Sequence, residues 1–176
     1  IEALKNPVAF DPQSVGPGVN TSNDEYWPSI TADGSTLMFT RQLYSRPQGP
    51  FSRNTSQEDF YISFLAVDGW GASVNAGSPL NTSSNEGAQT LSSNGNYMYF
   101  TACERRGGMG SCDIYFSALN GGSWTVPFNL GAPVNTSAWE STPSVSANGN
   151  LLIFSSNRQG GSGGKDLWYS LMKDNG

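Results

Sequence analysis

A short motif that recurs three times decides the fold of this chain: NTSNDE at residues 20–25, NTSSNE at 81–86 and NTSAWE at 135–140. Nine residues after each motif Glu comes a turn glycine, in Ala-Asp-Gly, Ser-Asn-Gly or Ala-Asn-Gly. A run of apolar residues follows each turn. Internal repeats of this kind are typical of architectures that stack one supersecondary unit on the next. The sequence therefore indicates three tandem units.

Each unit predicts four strands, a to d, in one antiparallel meander. Strand a follows the motif Glu and ends at the Asp-Gly or Asn-Gly turn, whose positive φ suits a tight hairpin. Strand b is a continuous apolar run, which indicates burial on both faces. Strand c begins at a recurrent Asp, and strand d carries a Trp. These marker residues are Asp59, Asp113 and Asp166 for strand c, and Trp70 and Trp124 for strand d.

Repeated units of strands that are covered on both faces predict an all-β fold with sheets stacked around an axis, which is a β-propeller. A β-sandwich is the alternative, although it does not need near-identical units. We therefore expect three four-stranded antiparallel blades and no long helix. The expected core consists of strand b and strand c aromatics: Phe39, Phe100, Phe154, Tyr61, Tyr115 and Trp168.

The repeat divides the chain into four segments. We expect residues 1–19 to hold the end of a lead-in helix and a strand that completes a neighbouring blade. Blade 1 then spans 20–80, blade 2 spans 81–134, and blade 3 spans 135–176 without its last strand. Because propellers usually have roughly 4–8 blades, we expect these three to be part of a larger propeller. Two chains that close a six-bladed ring, or a self-closed three-bladed ring, are the alternatives.

The composition argues against several classes of function. The chain has no His, which removes His-based triads, His general bases and most zinc sites. Its net charge is −5, which argues against a nucleic-acid partner. No apolar run approaches the roughly 18 residues of a membrane span. We therefore expect a chain that is not an enzyme and has no cofactor, no metal site and no membrane span.

The charged residues are expected on one face. The d–a and b–c loops of a propeller emerge together, so Glu25, Glu86 and Glu140 should form a ring of carboxylates at the channel mouth. The b–c loops add arginines. Either the Glu and Arg side chains pair and stabilise the loops, or they form a polar binding face. Paired catalytic carboxylates are a third alternative, although no Glu differs from its repeat copies. The candidate partner-binding residues are Arg41, Tyr44, Arg46, Phe51, Arg53, Arg105, Arg106 and Arg158.

Three further features allow structural or functional interpretations. The Asp that starts strand c can accept backbone N–H bonds from the preceding loop, and a calcium site is the alternative. Trp27 and Trp139 flank the expected carboxylate ring, where an indole can stack on a sugar. Cys103 and Cys112 occupy facing positions at the mouth of the second b–c hairpin, which predicts a disulfide. A disulfide indicates an oxidising compartment; two buried free thiols are the alternative.

The third unit carries the most specific resemblance. ESTPSVSANGNLLIFSSNR at 140–158, followed by GGSGGKDLWY at 160–169, resembles the TolB-type, WD-like propeller repeat. In particular it is similar to the PorE-like version in OmpA-family envelope proteins of Bacteroidetes. The resemblance covers nearly the whole chain and is far more specific for fold than for function. It implies a periplasmic location, associated with the outer membrane or peptidoglycan, and a link to type IX secretion.

Two classes of function follow for such a chain. The first is a non-enzymatic scaffold that binds a protein partner in the cell envelope. The second is a carbohydrate-binding propeller, either lectin-like or peptidoglycan-binding; an accessory propeller of a peptidase is a more distant third. Only the b–c loops vary in length between units, so we expect recognition on the face that carries them. The longest loop, residues 42–57, is the expected contact, with Arg46 and Arg53 as anchors.

Overall fold

The computed structural model describes residues 11–45 and 55–172. The regular elements within these two ranges are all β-strands, which confirms the all-β class. In chain order they are β1 (Asp24–Ile30), β2 (Thr36–Ser45), β3 (Thr55–Ala66), β4 (Gly69–Trp70), β5 (Val74–Asn75), β6 (Glu86–Leu91), β7 (Tyr97–Cys103), β8 (Cys112–Asn120), β9 (Ser123–Trp124), β10 (Phe128–Asn129), β11 (Glu140–Val145), β12 (Leu151–Ser156) and β13 (Asp166–Leu171). The expected lead-in helix end falls within residues 1–10, outside the described residues.

The strands form three antiparallel sheets, one for each repeat unit. The first sheet has the order β1-β2-β3-β4, with β5 also on β3, and the second has the order β10-β8-β7-β6, with β9 also on β8. The third sheet has the order β11-β12-β13. Strands a, b and c of every unit therefore follow one another as neighbours, as the meander predicted.

Strand d differs from the expectation of one continuous strand. In the first two sheets it is split into two pairs of residues, β4 and β5 or β9 and β10. Each first piece pairs with the end of strand c, and each second piece pairs further back on the same strand. In the second sheet Pro127 lies between the two pieces, and a proline has no N–H to donate to the ladder.

Strand a carries a β-bulge at the same place in all three sheets. The register shifts fall at residues 26–29, 87–90 and 141–144. The bulge residue has a φ of 51° in each sheet, and it is Trp27, Ala88 or Thr142. Residues other than glycine seldom adopt this left-handed region, so three unlike residues share one uncommon backbone conformation.

The core lies between successive sheets. Met38 and Phe60 of the first sheet pack with Met98 and Phe100 of the second, and β6 lies against β1, β2 and β3. On its other face, the second sheet packs against the third in the same way. Four of the predicted core aromatics, Phe100, Tyr115, Phe154 and the partly buried Trp168, belong to these clusters. Phe39 and the partly buried Tyr61 instead lie in a third cluster with Val19 and Leu37, which holds no residue of the second or third sheet.

A large residue of the first sheet meets a small residue of the second beside the bulge. A Cβ built on Gly87 would lie 2.6 Å from the ring of Trp27. This distance is shorter than a real contact between carbon atoms. The absence of a side chain at residue 87 therefore allows the indole to lie against β6.

The predicted disulfide is confirmed. Cys103 and Cys112 face each other as the last pair of the β7–β8 ladder, and their sulfur atoms are bonded, with 3.9 Å between the Cα atoms. The bond closes the base of the loop formed by residues 104–111.

Replacing both cysteines with serine should lower the free energy of unfolding by about 2–3 kcal/mol, because the unfolded chain regains the freedom of the closed loop. Urea denaturation of the oxidised wild type and the double variant measures the difference. Reduction with dithiothreitol should lower the stability of the wild type and leave that of the double variant unchanged. Equal stabilities for the oxidised wild type and the double variant would contradict the expectation.

Candidate functional site

The recurrent motif forms the same hydrogen-bonded clasp at the start of each unit. Thr21 donates its N–H to Glu25 Oε2 at 3.2 Å and its hydroxyl to Oε1 at 2.6 Å. Both bonds recur in the other two units, between Thr82 and Glu86 and between Thr136 and Glu140. The Thr-x-x-x-Glu spacing is therefore explained by a hydrogen-bonded turn that precedes strand a.

Each of these glutamates also faces an arginine. The ion pairs are Arg41–Glu25, Arg105–Glu86 and Arg158–Glu140, with nitrogen–oxygen distances of 2.8, 3.9 and 3.2 Å. The side chains of Glu86 and Glu140 are 0% exposed. Of the alternatives for these residues, the geometry shows pairing between Glu and Arg. The carboxylates of Glu86 and Glu140 are buried, and that of Glu25 is partly buried. The expected ring of carboxylates at a channel mouth stays a prediction.

The arginines are held by backbone carbonyls and aromatic rings as well as by the glutamates. Arg158 donates to the carbonyl oxygen of Pro133 at 2.9 Å and to that of Val134. Its guanidinium lies 5.0 Å from the ring centroid of Phe154 and 5.2 Å from that of Trp168. Carbonyl and ring contacts of the same kind hold the arginines of the other two units. A cation over an aromatic ring is stabilised by the ring quadrupole, so each arginine links two strands of its sheet to the chain segment just before its unit.

Two carboxyl groups have shifted pKa values, for opposite reasons. Burial raises the pKa of Glu86 above its usual range, although the hydrogen bonds from Thr82 and the charge of Arg105 act against the shift. Hydrogen bonds from Thr31 and Ser35 hold the pKa of Asp33 at about 2. The shift at Glu86 thus arises in a buried ion pair, and the shift at Asp33 arises in the first a–b turn.

The predicted partner-binding residues fall into three groups. Arg41, Arg105 and Arg158 have side-chain exposures of only 8%, 15% and 15%, and their guanidinium groups serve the internal ion pairs. Tyr44 and Arg106 are exposed. The remaining three candidates, Arg46, Phe51 and Arg53, lie outside the described residues.

The first b–c hairpin is longer than the other two. The β2–β3 ladder passes the pair Gln42–Glu58, which is equivalent to Cys103–Cys112, and continues for three more pairs to Ser45–Thr55. We call residues 43–45 and 55–57 the hairpin arm. Tyr44 lies on this arm, and its hydroxyl is 2.6 Å from Asp24 Oδ2, a hydrogen bond that raises the pKa of the phenol. Part of the loop predicted over residues 42–57 is therefore strand.

The recurrent Asp of strand c has the predicted structural role in two units. Asp113 accepts the backbone N–H of Met109 at 2.7 Å, and Asp166 accepts that of Gly163 at 3.1 Å. Asp59 instead accepts two side-chain amides. Within residues 11–45 and 55–172, no group of three or more His, Cys, Asp or Glu side chains is placed to hold a metal ion.

A groove of about 790 Å³ lies between the first and second sheets, at the end that carries the a–b turns. Phe64, Leu91 and Trp124 contribute apolar walls, and Asp33 and Asn94 contribute polar groups. The sequence assigned Trp124 to packing and did not predict the groove. Its walls come from two different sheets, so it depends on how the sheets are spaced, and no local pattern reports that spacing.

Comparison with known proteins assigns no family to this all-β repeat chain. No protein-family model matches it, and no curated protein matches it. In the described part of the chain, no helix is long and apolar enough to cross a membrane. The likeness to TolB-type repeats therefore stays a prediction from the residues.

Proposed function

We propose that this chain is a non-enzymatic β-propeller scaffold of the bacterial cell envelope that binds a protein partner. The observation that carries the proposal is the hairpin arm, which extends one b–c hairpin beyond a framework that is otherwise repeated from unit to unit. Recognition in repeat proteins is usually located on such variable elements of a rigid scaffold.

The propeller arrangement is supported by the order and the contacts of the sheets. Three antiparallel sheets follow one another in sequence, and strand a of each later sheet, β6 or β11, lies against the sheet before it. The second sheet is covered on both faces. Blades stacked around an axis have these properties. An experimental structure with two packed sheets and Greek-key links would contradict this part of the proposal.

The non-enzymatic role is supported by the state of the recurrent carboxylates. Glu25, Glu86 and Glu140 are each bonded to a threonine and paired with an arginine. Catalytic pairs of carboxyl groups instead need environments that separate their roles, with access to a substrate. The same threonine and arginine contacts in all three units support a structural role for these carboxylates.

The envelope location is supported by the disulfide. A bond between Cys103 and Cys112 fits an oxidising compartment such as the periplasm. Together with the resemblance to OmpA-family repeats, it supports a periplasmic protein that is associated with the outer membrane or peptidoglycan. A part in type IX secretion is the process that the resemblance suggests.

The proposed contact surface is the face that carries the b–c loops. Tyr44 on the hairpin arm and Arg106 in the second b–c loop are its exposed described members. Tyr and Arg are the residue types that most often dominate binding energy at protein interfaces. The sequence between the two halves of the arm contains Arg46 and Arg53, the anchors expected from the sequence.

Replacing Tyr44 with Ala and Arg106 with Glu should weaken partner binding by about tenfold or more, because each residue is a candidate hot spot. The partner is first captured from an envelope extract by cross-linking. The Kd of its complex with the wild type and with each variant is then measured by interferometry. Val67, which is fully exposed in the β3–β4 turn, supplies the matched control Val67→Ala. Circular dichroism should show that all variants are folded. Binding that survives the double change and is lost on changes beside Gly34 or Gly95 would assign the contact to the opposite face.

The groove between the first two sheets favours carbohydrate binding as a second candidate function. Its volume of about 790 Å³ is within the range of ligand sites, and Phe64 and Trp124 offer rings for stacking on a sugar. Peptidoglycan fragments and a glycan array distinguish the two candidates. Glycan binding that is lost in Phe64→Ala and retained in Tyr44→Ala would favour the carbohydrate function over the protein-binding one.

A further inference from the structure

The groove between the first two sheets has a polar edge, which two neighbouring a–b turns form. Asp33 lies in the first turn and Asn94 in the second, and both side chains line the groove. The N–H of Ala32 donates to the carbonyl oxygen of Ser93 at 2.9 Å, and this bond joins the two turns. The two turns are therefore held side by side, next to the apolar walls of the groove.

The turn that contains Asp33 does not need a negative charge. Asp33 Oδ1 accepts the hydroxyl of Thr31 at 2.6 Å and the N–H of Ser35 at 3.0 Å, and the Ser35 hydroxyl adds a further bond. In the second unit the amide oxygen of Asn94 accepts the equivalent hydroxyl and N–H at 2.8 and 3.1 Å. Asn148 makes the same two bonds in the third unit. A neutral amide thus makes the shared bonds of this turn twice, so the fold does not account for the charge of Asp33.

This carboxylate gives the groove a negative charge. Its hydrogen bonds hold the pKa of Asp33 at about 2, so the side chain is ionised at physiological pH. Asp33 is the charged residue among those that line the groove, and it has no ion-pair partner within residues 11–45 and 55–172. The described basic residues lie instead in or beside the b–c hairpins, at the other end of the sheets: Arg41, Arg105, Arg106, Arg158 and Lys165.

Small side chains leave room for a ligand at this junction. Ile62 and Val74 pair across the first sheet and line the groove. Their equivalents in the second sheet are Phe116 and Phe128, which pair in the same way and whose ring centroids lie 5.1 Å apart. The first sheet thus has two aliphatic groups where the second has a packed pair of rings. Phe64 lies beside the resulting space and is 58% exposed.

We propose that the groove binds an amino sugar, with the ammonium group of the sugar beside the Asp33 carboxylate and a face of the sugar ring on Phe64 or Trp124. The proposal rests on the carbohydrate-binding candidate function and narrows it to sugars that carry a free amine. An aromatic ring attracts a cation over its face as well as packing against a sugar, so these walls and the carboxylate favour the same ligand.

Polar side chains along the groove favour a sugar over a simple alkyl amine. Thr36, Asn75, Ser93 and Asn94 offer hydroxyl and amide groups, and a few such groups among apolar walls are what orient a ligand in a pocket. The amide nitrogen of Asn94 has no acceptor in the described part of the chain, so it can donate to a sugar hydroxyl while its oxygen holds the turn. The contact of the b–c face with a protein partner does not depend on this site.

Isothermal titration calorimetry with three matched tetrasaccharides tests the proposal. These are the β-linked tetramers of glucosamine, N-acetylglucosamine and glucose, which carry an ammonium, an acetamide or a hydroxyl group at the same ring carbon. At about pH 6, where an amine of this kind is protonated, and at low ionic strength, we expect the glucosamine tetramer to bind about fivefold more tightly than either neutral tetramer.

Two matched substitutions separate the charge of Asp33 from the turn and from the charge of the whole face. Asp33→Asn should remove the preference and keep the fold, since Asn already makes this turn at residues 94 and 148. Asp68→Asn should keep the preference. Asp68 is an exposed carboxylate in the β3–β4 turn, at the same end of the first sheet but outside the groove. Raising the pH to about 9 neutralises the sugar amine and should abolish the preference of the wild type.

The outcomes distinguish this proposal from the function on which it rests. A preference that survives Asp33→Asn, or one that Asp68→Asn removes equally, would overturn it. Equal binding of all three tetramers that is lost in Phe64→Ala would overturn the amino-sugar preference and leave the carbohydrate function in place. If no tetramer bound, both would be wrong, and the protein-binding role of the b–c face would be unaffected.

Discussion

Replacing Glu140 with Ala should lower the free energy of unfolding by about 3–5 kcal/mol, the usual cost of leaving a buried charge without its partner. The Glu140 carboxylate is fully buried, accepts hydrogen bonds from Thr136 and Ser156, and lies 3.2 Å from Arg158. Its removal leaves the Arg158 guanidinium in a nearly buried site with no counter-charge. Urea denaturation at neutral pH measures the loss.

Two further variants separate a buried ion pair from a general sensitivity to substitution. Glu104 is an exposed glutamate in the second b–c loop, and Glu104→Ala should change stability by no more than about 0.5 kcal/mol. The double change Glu140→Leu with Arg158→Met should recover much of the stability, because neither charge is then buried. If Glu140→Ala were as mild as Glu104→Ala, the buried pair would not contribute in the way its geometry indicates.

Replacing Asn135 with Ala should cost roughly 3 kcal/mol, because a buried hydrogen-bond donor is left without an acceptor. Asn135 is 0% exposed, and its side chain bonds the N–H and C=O of Ile114 as well as the side chain of Asn129. In the variant, the carbonyl oxygen of Ile114 still accepts the N–H of Leu130. The N–H of Ile114, however, has no second acceptor among the described residues.

Asn20 offers a matched control for that prediction, since it occupies the same place in the motif and its side chain makes no bond to a strand in the described part of the chain. Asn20→Ala should cost less than about 1 kcal/mol. Both variants are compared with the wild type by chemical denaturation. Equal costs at residues 20 and 135 would mean that the bonds from Asn135 to Ile114 contribute nothing to stability.

The strands, the a–b turns and the disulfide were predictable because each depends on residue types at fixed positions in the repeat, which can be read directly from the sequence. Asp-Gly and Asn-Gly steps fix tight hairpins, and continuous apolar runs fix strands with two covered faces. Cys103 and Cys112 could be paired once the repeat aligned them with Gln42 and Glu58, which also face each other across their hairpin. The split of strand d could not be seen from the Trp positions alone.

The ion pairs show why the site was harder to predict than the strands. Arg41 lies within β2, whereas Arg105 and Arg158 lie beyond the ends of β7 and β12, so the three arginines are not equivalent in the repeat. Their long side chains nevertheless bring each guanidinium to the same place beside the motif glutamate. A comparison of sequence positions cannot detect this convergence. The bulge was invisible for a similar reason, since Trp27, Ala88 and Thr142 share no side-chain property.

The contact between Trp27 and Gly87 means that the three units are not interchangeable in their order along the chain. A side chain at residue 87 would begin 2.6 Å from the indole ring, so glycine is the residue that accepts Trp27 there without a shift of the ring. In the third unit the equivalent residue is Ser141, whose Cβ would collide with that ring if the third unit directly followed the first. The match between the large Trp27 side chain and the missing side chain at Gly87 therefore favours the second unit as the neighbour of the first, although the repeats are otherwise similar. Shuffled versions of this protein would have to move the two residues together.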